Sequence, residues 1–423
     1  MQHSPNERKS FITFFFHPEQ SGVNASLPLA RGLKEKGHNV VYIGYHRYDE
    51  FIRKQGFDYV CLLDREIYEK LIKQPGPKTK WTLNGLMKEG IERWLETETP
   101  NLVLLDQFAW EQAGAFLKKK IPLLAVNTCL AGFYHPAVPP VFSPLIPNSG
   151  SGRVNRLKNA MAWGKIRLFH GIVSLINKKV MAPFIREIEA NGVEIGRGEY
   201  GRRLKLPELV LCPREFDFPI TAQTGNNRTY AGACVHTSPN TDPFDWAEID
   251  TSKTIIYCSV GSHPRFALHR RKLFTAAIEA VRDKLDTHLL IQAANPKDIE
   301  ALQPLPTNVS VHEWVPQLEI LSQSSLFITH GGLSSIRESI FHGVPMLVFP
   351  WGVDQPGNAA RVQYHNLGLT GNAAKITPDT LRKMIDHIRE NPQIQSAIKK
   401  MQTLFQHQEH CAPAIQKIEQ TLS

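Results

Sequence analysis

Cysteine is scarce and unpaired in this chain. Cys61, Cys129, Cys212, Cys234, Cys258 and Cys411 are scattered without CxxC or any other paired spacing. That argues against a disulfide framework and a structural zinc site, and a reducing cytoplasm is the expected compartment. Long apolar runs are also missing. Residues 11–16 (FITFFF) follow a charged start, but they fall well short of the ~20 residues of a membrane span and lack the small-residue cleavage site of a signal peptide. No zinc-finger spacing, RNP-type segment or dense arginine tract accompanies the net charge of +9, so nucleic acid is not an expected partner. A D-x-D metal motif is absent as well, and neither a metal nor a cofactor is expected.

What is present suits a two-domain enzyme. The 423 residues are too many for one ordinary core and fit two domains of roughly 200 residues each. In the first half, residues 11–16 read as a strand, 27–36 as a helix ending at Gly37, and 39–43 as a second strand, which is the βαβ start of a parallel sheet. Further strands are expected at 102–105, 122–126, 209–212 and 229–231, with a helix over 111–119. Asp106 closes the strand LVLLD, where spacing alone makes it the N-cap of the next helix.

The richest stretch runs from Trp314 to Gln355, with an indole, an imidazole, a glycine pair, a carboxylate and an Asp-Gln dyad along one strand–loop–helix unit. Residues 325–330 (SLFITH) read as a buried strand, Gly331-Gly332 as a tight turn, and Ser334 onward as a helix whose free N–H groups and dipole face an anion. A crevice outside the strand ends is where open α/β sheets bind ligands. Each piece has a plainer reading: Ser335-Ile336-Arg337-Glu338 also has the form of a capping box, and a lone Trp or strand-terminal His is commonly structural. Residues 254–262 (TIIYCSVGS) form a second strand ending in Gly261-Ser262, where a residue without a side chain lets backbone N–H groups approach a phosphate.

Together these segments resemble the signature of family 1, the UDP-sugar-dependent glycosyltransferases, with HGG and HGVPM closer to its bacterial and animal members. The resemblance implies an α/β fold of two Rossmann-like domains facing across a cleft, the B-type glycosyltransferase architecture. It implies an acceptor-binding domain over residues 1–236, a linker at 237–250, a nucleotide-sugar domain at 251–402, and a helix at 403–423 that crosses back onto the first domain. It assigns Trp314 to stacking on uracil, Gln317 to the base or ribose edge, His330 to the diphosphate, Glu338 to the ribose, and Asp354 and Gln355 to sugar hydroxyls. Val315, Gly332, Ser334 and Ser335 complete the expected donor site with the Gly261-Ser262 loop, and His263 is an extra candidate.

The family's catalytic His sits in a G-H-[VIL]-N-P loop, and here the aligned segment is Ser21-Gly22-Val23-Asn24-Ala25, with Gly22 at the base position. His17 is the expected substitute base, oriented by the carboxylate of Asp106. Glu19 and Asp106 acting alone are lesser candidates, and a loop residue held by Pro18 is the plainer reading of His17. Residues 133–145 (FYHPAVPPVFSPL) are aromatic and proline-rich and are similar to the acceptor region of bacterial members that glycosylate carotenoids, macrolides and other lipophilic alcohols. Phe133, Tyr134 and Phe142 are the expected acceptor contacts. Basic and apolar residues alternate over 153–186, which suggests a peripheral membrane contact at the inner face or a solvated helix packed on its own domain.

The resulting expectation is an inverting transferase that moves a hexose, glucose first, from a UDP-sugar donor to an oxygen of a lipophilic small-molecule acceptor. A donor-binding protein without transfer activity and a UDP-sugar epimerase of the same build are the alternatives.

Overall fold

Short runs rich in Phe, Leu, Ile and Val can be buried on both faces when they form the middle strands of a parallel sheet. In the computed structural model, which describes residues 9–17, 19–73, 76–147, 153–219, 227–235, 243–261, 267–408 and 410–423, this happens twice. The first half contributes β1 (Phe11–Phe15), β2 (Asn39–Gly44), β3 (Asp58–Cys61), β4 (Leu102–Asp106), β5 (Leu123–Asn127), β6 (Ile195–Gly198), β7 (Gly201–Leu204), β8 (Glu208–Val210) and β9 (Arg228–Tyr230). The second half contributes β10 (Thr254–Ser259), β11 (Thr287–Gln292), β12 (Val309–His312), β13 (Ser324–Thr329), β14 (Met346–Val348) and β15 (Gly368–Thr370).

Among the described residues the larger sheet has the order β3-β2-β1-β4-β5-β8-β9 and the smaller one β12-β11-β10-β13-β14-β15, and every neighbouring pair in both is parallel. Strand order reverses between β1 and β4 in one sheet and between β10 and β13 in the other. At such a switch point the flanking crossovers leave in opposite directions and open a crevice at the carboxyl ends of the strands. His17 and Asp106 follow or close β1 and β4; Gly261 and His330 follow β10 and β13. Both chemical ends of the expected site therefore lie at topological switch points.

Three local expectations are corrected. The first helix begins at Gln20 and not at residue 27, running Gln20–Glu35 through Pro28, so Ser21 and Gly22 lie in its first turn and not in a loop. Proline is a sequence signal for a helix start; here it is tolerated eight residues in, where it gives up one backbone donor. After β4 the chain makes a 3-10 segment, Gln107–Gln112, before the short α-helix Ala113–Lys118. The single helix expected over 403–423 is two, Pro392–His407 and Ala412–Leu422, separated by Cys411 in a left-handed conformation with φ of 51°.

The last of these helices packs on the first domain. Ala414, Ile415 and Ile418 join the buried cluster of Ile12, Phe14, Leu29 and Leu33, and Lys36 pairs with Glu419 at 3.1 Å. A Cβ at Gly32 would stand 2.5 Å from the Ile415 side chain, so glycine sets how closely the two helices meet. The domains are also joined by the buried ion pair of Arg361 with Asp217 at 2.7 Å and by the Gly357 N–H donating to Val141 O at 2.8 Å. The described part of the linker clips onto the helix Gln317–Gln323: the Phe244 N–H and the Trp246 indole N–H donate to Glu319 at 3.0 and 2.8 Å.

Ending the chain at Gln402 removes the buried Phe405, Ala414, Ile415 and Ile418. At about 1.5–3 kcal/mol for each of the three large side chains, the loss approaches the ~5–15 kcal/mol of a whole domain's stability. The truncated chain is expected to be largely insoluble or to unfold far below the full chain in a thermal melt; an unchanged melt would contradict this packing.

Candidate functional site

The second-domain half of the site is built from the ends of β10 and β13. The helix after β13 starts at Leu333 with Gly332 as its N-cap, and no side chain caps it. This corrects both the expected start at Ser334 and the capping-box alternative. Ser335 is too far into the helix to cap it, and its Oγ and the Glu338 carboxylate instead accept from the Gln317 amide. The first N–H groups of the helix, at residues 333–335, are thus left with the positive end of the helix dipole for an anion.

His330 stands beside this terminus. Its ring is packed between glycines: a Cβ at Gly332 would lie 3.1 Å from Nε2, and one at Gly261, whose φ is +73°, 3.3 Å from Cε1. Burial lowers the His330 pKa to about 4, so the imidazole is neutral at pH 7 and offers an N–H, not a positive charge. Its buried Nδ1 has no hydrogen-bond partner among the described residues. Ser262 and His263, expected in the same loop, lie outside the described residues.

Trp314 is 57 % exposed, three residues before Gln317, which suits a stacking platform and not a core tryptophan, whereas Val315 beside it is buried. Gln317 and Glu338, expected at the base and ribose, are bonded to each other. They belong to a polar chain that sequence reading missed: Tyr257 Oη lies 2.8 Å from Gln292 Oε1 and 3.3 Å from Gln317 Oε1, and Ser259 Oγ donates to Gln292 at 3.2 Å. Burial raises the Glu338 pKa, with the Gln317 amide opposing that shift. Asp354 accepts from Asn358 Nδ2 at 2.9 Å, and burial pushes its pKa up. Gln355 Oε1 accepts from the N–H groups of Trp351 and Gly352 at 2.8 and 3.2 Å. Between them Val353 holds φ of 56°, a left-handed conformation that costs a β-branched residue on the order of 1–3 kcal/mol and shapes the loop that carries the dyad.

Across the cleft, Ser334 Oγ lies 3.4 Å from Ser21 O, so the starts of the two helices face each other. Gly22 is buried there, and a Cβ on it would meet Thr128 at 3.3 Å and Phe16 at 3.5 Å. His17 lines a cavity of about 320 Å³ with Tyr68, Lys80, Asn84, Phe108 and Glu111. Burial, and secondarily the charge of Lys80, lowers its pKa to about 4. Asp106 does not orient that imidazole. Its carboxylate accepts from the backbone N–H of His17 at 3.1 Å and of Phe108 at 3.1 Å, so it caps the 3-10 segment and fixes where His17 leaves the strand. Burial raises the Asp106 pKa to about 7.

The expected acceptor contacts divide. Phe142 packs on Tyr200 with ring centres 4.7 Å apart, and Tyr200 packs on Phe108 at 4.8 Å, which reaches His17 at 6.4 Å. Phe133 instead lies under the Arg203 guanidinium, and Tyr134 packs on Trp163 and Arg167, away from that wall. Their aromatic character serves a cation or another ring, and spacing alone does not separate these cases. Tyr200 sits at the turn of the β6–β7 hairpin beside Glu199, whose carboxylate accepts from the N–H groups of Gly132 and Val141 and so holds the aromatic loop. The Gly-x-Gly-x-x-Gly spacing around residues 196–201 was the available signal for that turn.

A family model described as UDP-glucoronosyl and UDP-glucosyl transferase matches residues 207–413. Over these residues, just under half of the chain, the sequence is similar to the UDP-glycosyltransferases. It is 25 % identical over 414 residues to the demethyllactenocin mycarosyltransferase of Streptomyces fradiae, covering 90 % of this chain and 83 % of that protein. The NDP-glycosyltransferase YjiC of Bacillus subtilis is 23 % identical and covered to 93 %, as is this chain. The match to the UDP-glucosyltransferase YdhE of Bacillus subtilis is 32 % identical but spans 36 % of this chain and 37 % of that protein. Among solved structures, the glycotransferase of kitacinnamycin superimposes with a TM-score of 0.75 at 23 % identity, covering 99 % of this chain and all of that one. The fold is the two-domain B-type glycosyltransferase architecture.

The exposed indole and the neutral imidazole are expected to contribute separately to nucleotide binding. Base stacking is worth ~1–3 kcal/mol, so Trp314→Ala is expected to weaken UDP-sugar binding roughly ten- to hundredfold, and His330→Ala should weaken it through the lost phosphate donor. Calorimetric titration checks both; full affinity in both variants would contradict the placement of the nucleotide.

Proposed function

We propose that the chain transfers a hexose, glucose first, from a UDP-sugar to a hydroxyl of a lipophilic small molecule, with inversion at the anomeric carbon, in the cytoplasm. The observation that carries this reading is the uncapped start of the helix Leu333–Phe341 beside a neutral His330, facing the first-domain helix start at Ser21. Fixed N–H donors of that kind stabilise negative charge that develops on a departing phosphate, and one such donor is commonly worth ~100- to 1000-fold in rate. Asp354 and Gln355 are given the sugar hydroxyls, Trp314 the base, and Gln317 and Glu338 the ribose. No metal or cofactor is assigned a part.

The relatives favour a natural-product acceptor: they include a mycarosyltransferase and an oleandomycin glycosyltransferase. The aromatic wall of Phe108, Phe142 and Tyr200 supports an apolar acceptor whose hydroxyl is presented to His17. In this reading His17 takes the proton as the acceptor oxygen attacks, and UDP leaves on the opposite face.

Mass-spectrometric screening of UDP-sugars against a panel of lipophilic alcohols tests the reaction. Sugar transfer is expected; donor conversion without acceptor would indicate an epimerase, and binding without turnover a donor-binding protein. The identity of the base appears in pH dependence. A base works only when deprotonated, so with His17 turnover is lost as pH falls through about 4, and with Asp106 as it falls through about 7. His17→Ala is expected to reduce turnover ~100- to 10,000-fold with donor affinity retained. Full turnover in His17→Ala, with the loss of rate near pH 7, would transfer the role to Asp106.

A further inference from the structure

The helix Arg153–Ile176 is pinned to its own domain along one face and carries an apolar stripe on the opposite one. On the inward face the Trp163 indole N–H donates to Val138 O at 2.8 Å, Asn159 Nδ2 to Ala137 O at 3.3 Å, and His170 Nε2 lies 2.7 Å from Glu199 O. The outward stripe holds Leu157, Met161, Leu168, Ile172 and Leu175, whose spacings of four, seven, four and three put them on one face, and they are 53–73 % exposed. Phe169 and Ile176 widen it. A contiguous apolar face of this extent on a soluble chain marks an interaction surface.

Charge identifies what covers it. From Gln112 to Arg186 the sequence contains no aspartate or glutamate, while Arg156, Lys158, Lys165, Arg167, Lys178 and Lys179 rim the stripe or continue it. A second copy docked face to face would bring these like charges together, which disfavours self-association. Long basic side chains that flank an apolar stripe instead reach anionic headgroups while the stripe enters the acyl boundary. No described helix is long and apolar enough to cross a membrane, so this one would lie in the surface plane. Beside it runs a groove of about 470 Å³ lined by Phe142, Leu145, Lys158, Met161, Lys165 and Ile166. Phe142 also belongs to the aromatic wall that leads through Tyr200 and Phe108 to His17.

We propose that the outward face of this helix docks on an anionic lipid bilayer, and that the adjoining groove admits a membrane-dissolved acceptor to the cleft. The second clause rests on the transferase reading; the first does not. Co-sedimentation with vesicles of phosphatidylcholine alone, or mixed with phosphatidylglycerol, tests docking. Binding to the mixed vesicles is expected to be about tenfold tighter or more and to weaken with salt. The triple variant Leu168→Gln, Ile172→Gln, Leu175→Gln should lose that binding while keeping its thermal melt, its UDP affinity and its transfer to a water-soluble alcohol. It should also lose transfer to an acceptor dissolved in the vesicles. Equal binding of variant and parent, no preference for the anionic vesicles, or a parent dimer in light scattering that the variant dissolves would each overturn the proposal. Absence of transfer to every acceptor with docking intact would count against the transferase reading alone.

Discussion

Arg337 leaves the helix Leu333–Phe341 and delivers one nitrogen of its guanidinium to three carbonyl oxygens of the first domain, those of Leu211, Ala233 and Cys234, at 2.7, 3.2 and 3.2 Å. Its other terminal nitrogen donates to Ser334 Oγ at 3.1 Å, and Ser334 reaches Ser21 O. One buried cation therefore ties the start of the second-domain helix to the last strands of the first sheet and to the start of the first helix. Carbonyl oxygens cannot neutralise the charge, but they take up its Nη1 hydrogens, while the buried Nε has no hydrogen-bond partner among the described residues, and removing the side chain would leave buried acceptors without partners. The geometry of the cleft depends on this contact, because the anion site and the cavity of His17 belong to different domains.

Given that frame, the division of labour follows from topology. Each sheet reverses its strand order once, and each reversal opens a crevice at the carboxyl ends of the strands. The crevice after β10 and β13 offers backbone N–H groups, a neutral imidazole and an exposed indole, which together suit an anionic, planar ligand. The crevice after β1 and β4 offers aromatic rings and a deprotonated histidine, which suit an apolar ligand with a labile proton. Burial holds both histidines neutral at pH 7, so neither repels a cation or forms an ion pair with a carboxylate there.

Local chemistry was the legible part. The central strands β1, β2, β4, β5 and β13 and the strand–glycine–helix unit around His330 could be read to within a residue or two, because apolar runs and glycine turns are encoded by neighbours in sequence, whereas β3, β11, β12, β14 and β15 went unread. Contacts made at a distance could not. Asp106 was expected to meet an imidazole and instead holds the His17 backbone N–H; nothing in LVLLD distinguishes the two. Tyr200 joins the acceptor wall only because the β6–β7 hairpin folds back, through the Phe133–Gly198 bridge, onto a loop more than sixty residues away in sequence. Arg337, read as one member of a capping box, proved to be an interdomain tie. In each case the residue type was visible and its partner was not.

The central claim is that an anionic nucleotide lies at the uncapped helix start between the two domains. A crystal structure of the chain with UDP tests it most directly. The predicted complex has uracil against Trp314 and diphosphate oxygens within hydrogen-bond distance of the N–H groups at residues 333–335 and of His330. A nucleotide bound in the His17 cavity, or a diphosphate out of reach of both His330 and that helix start, would contradict it.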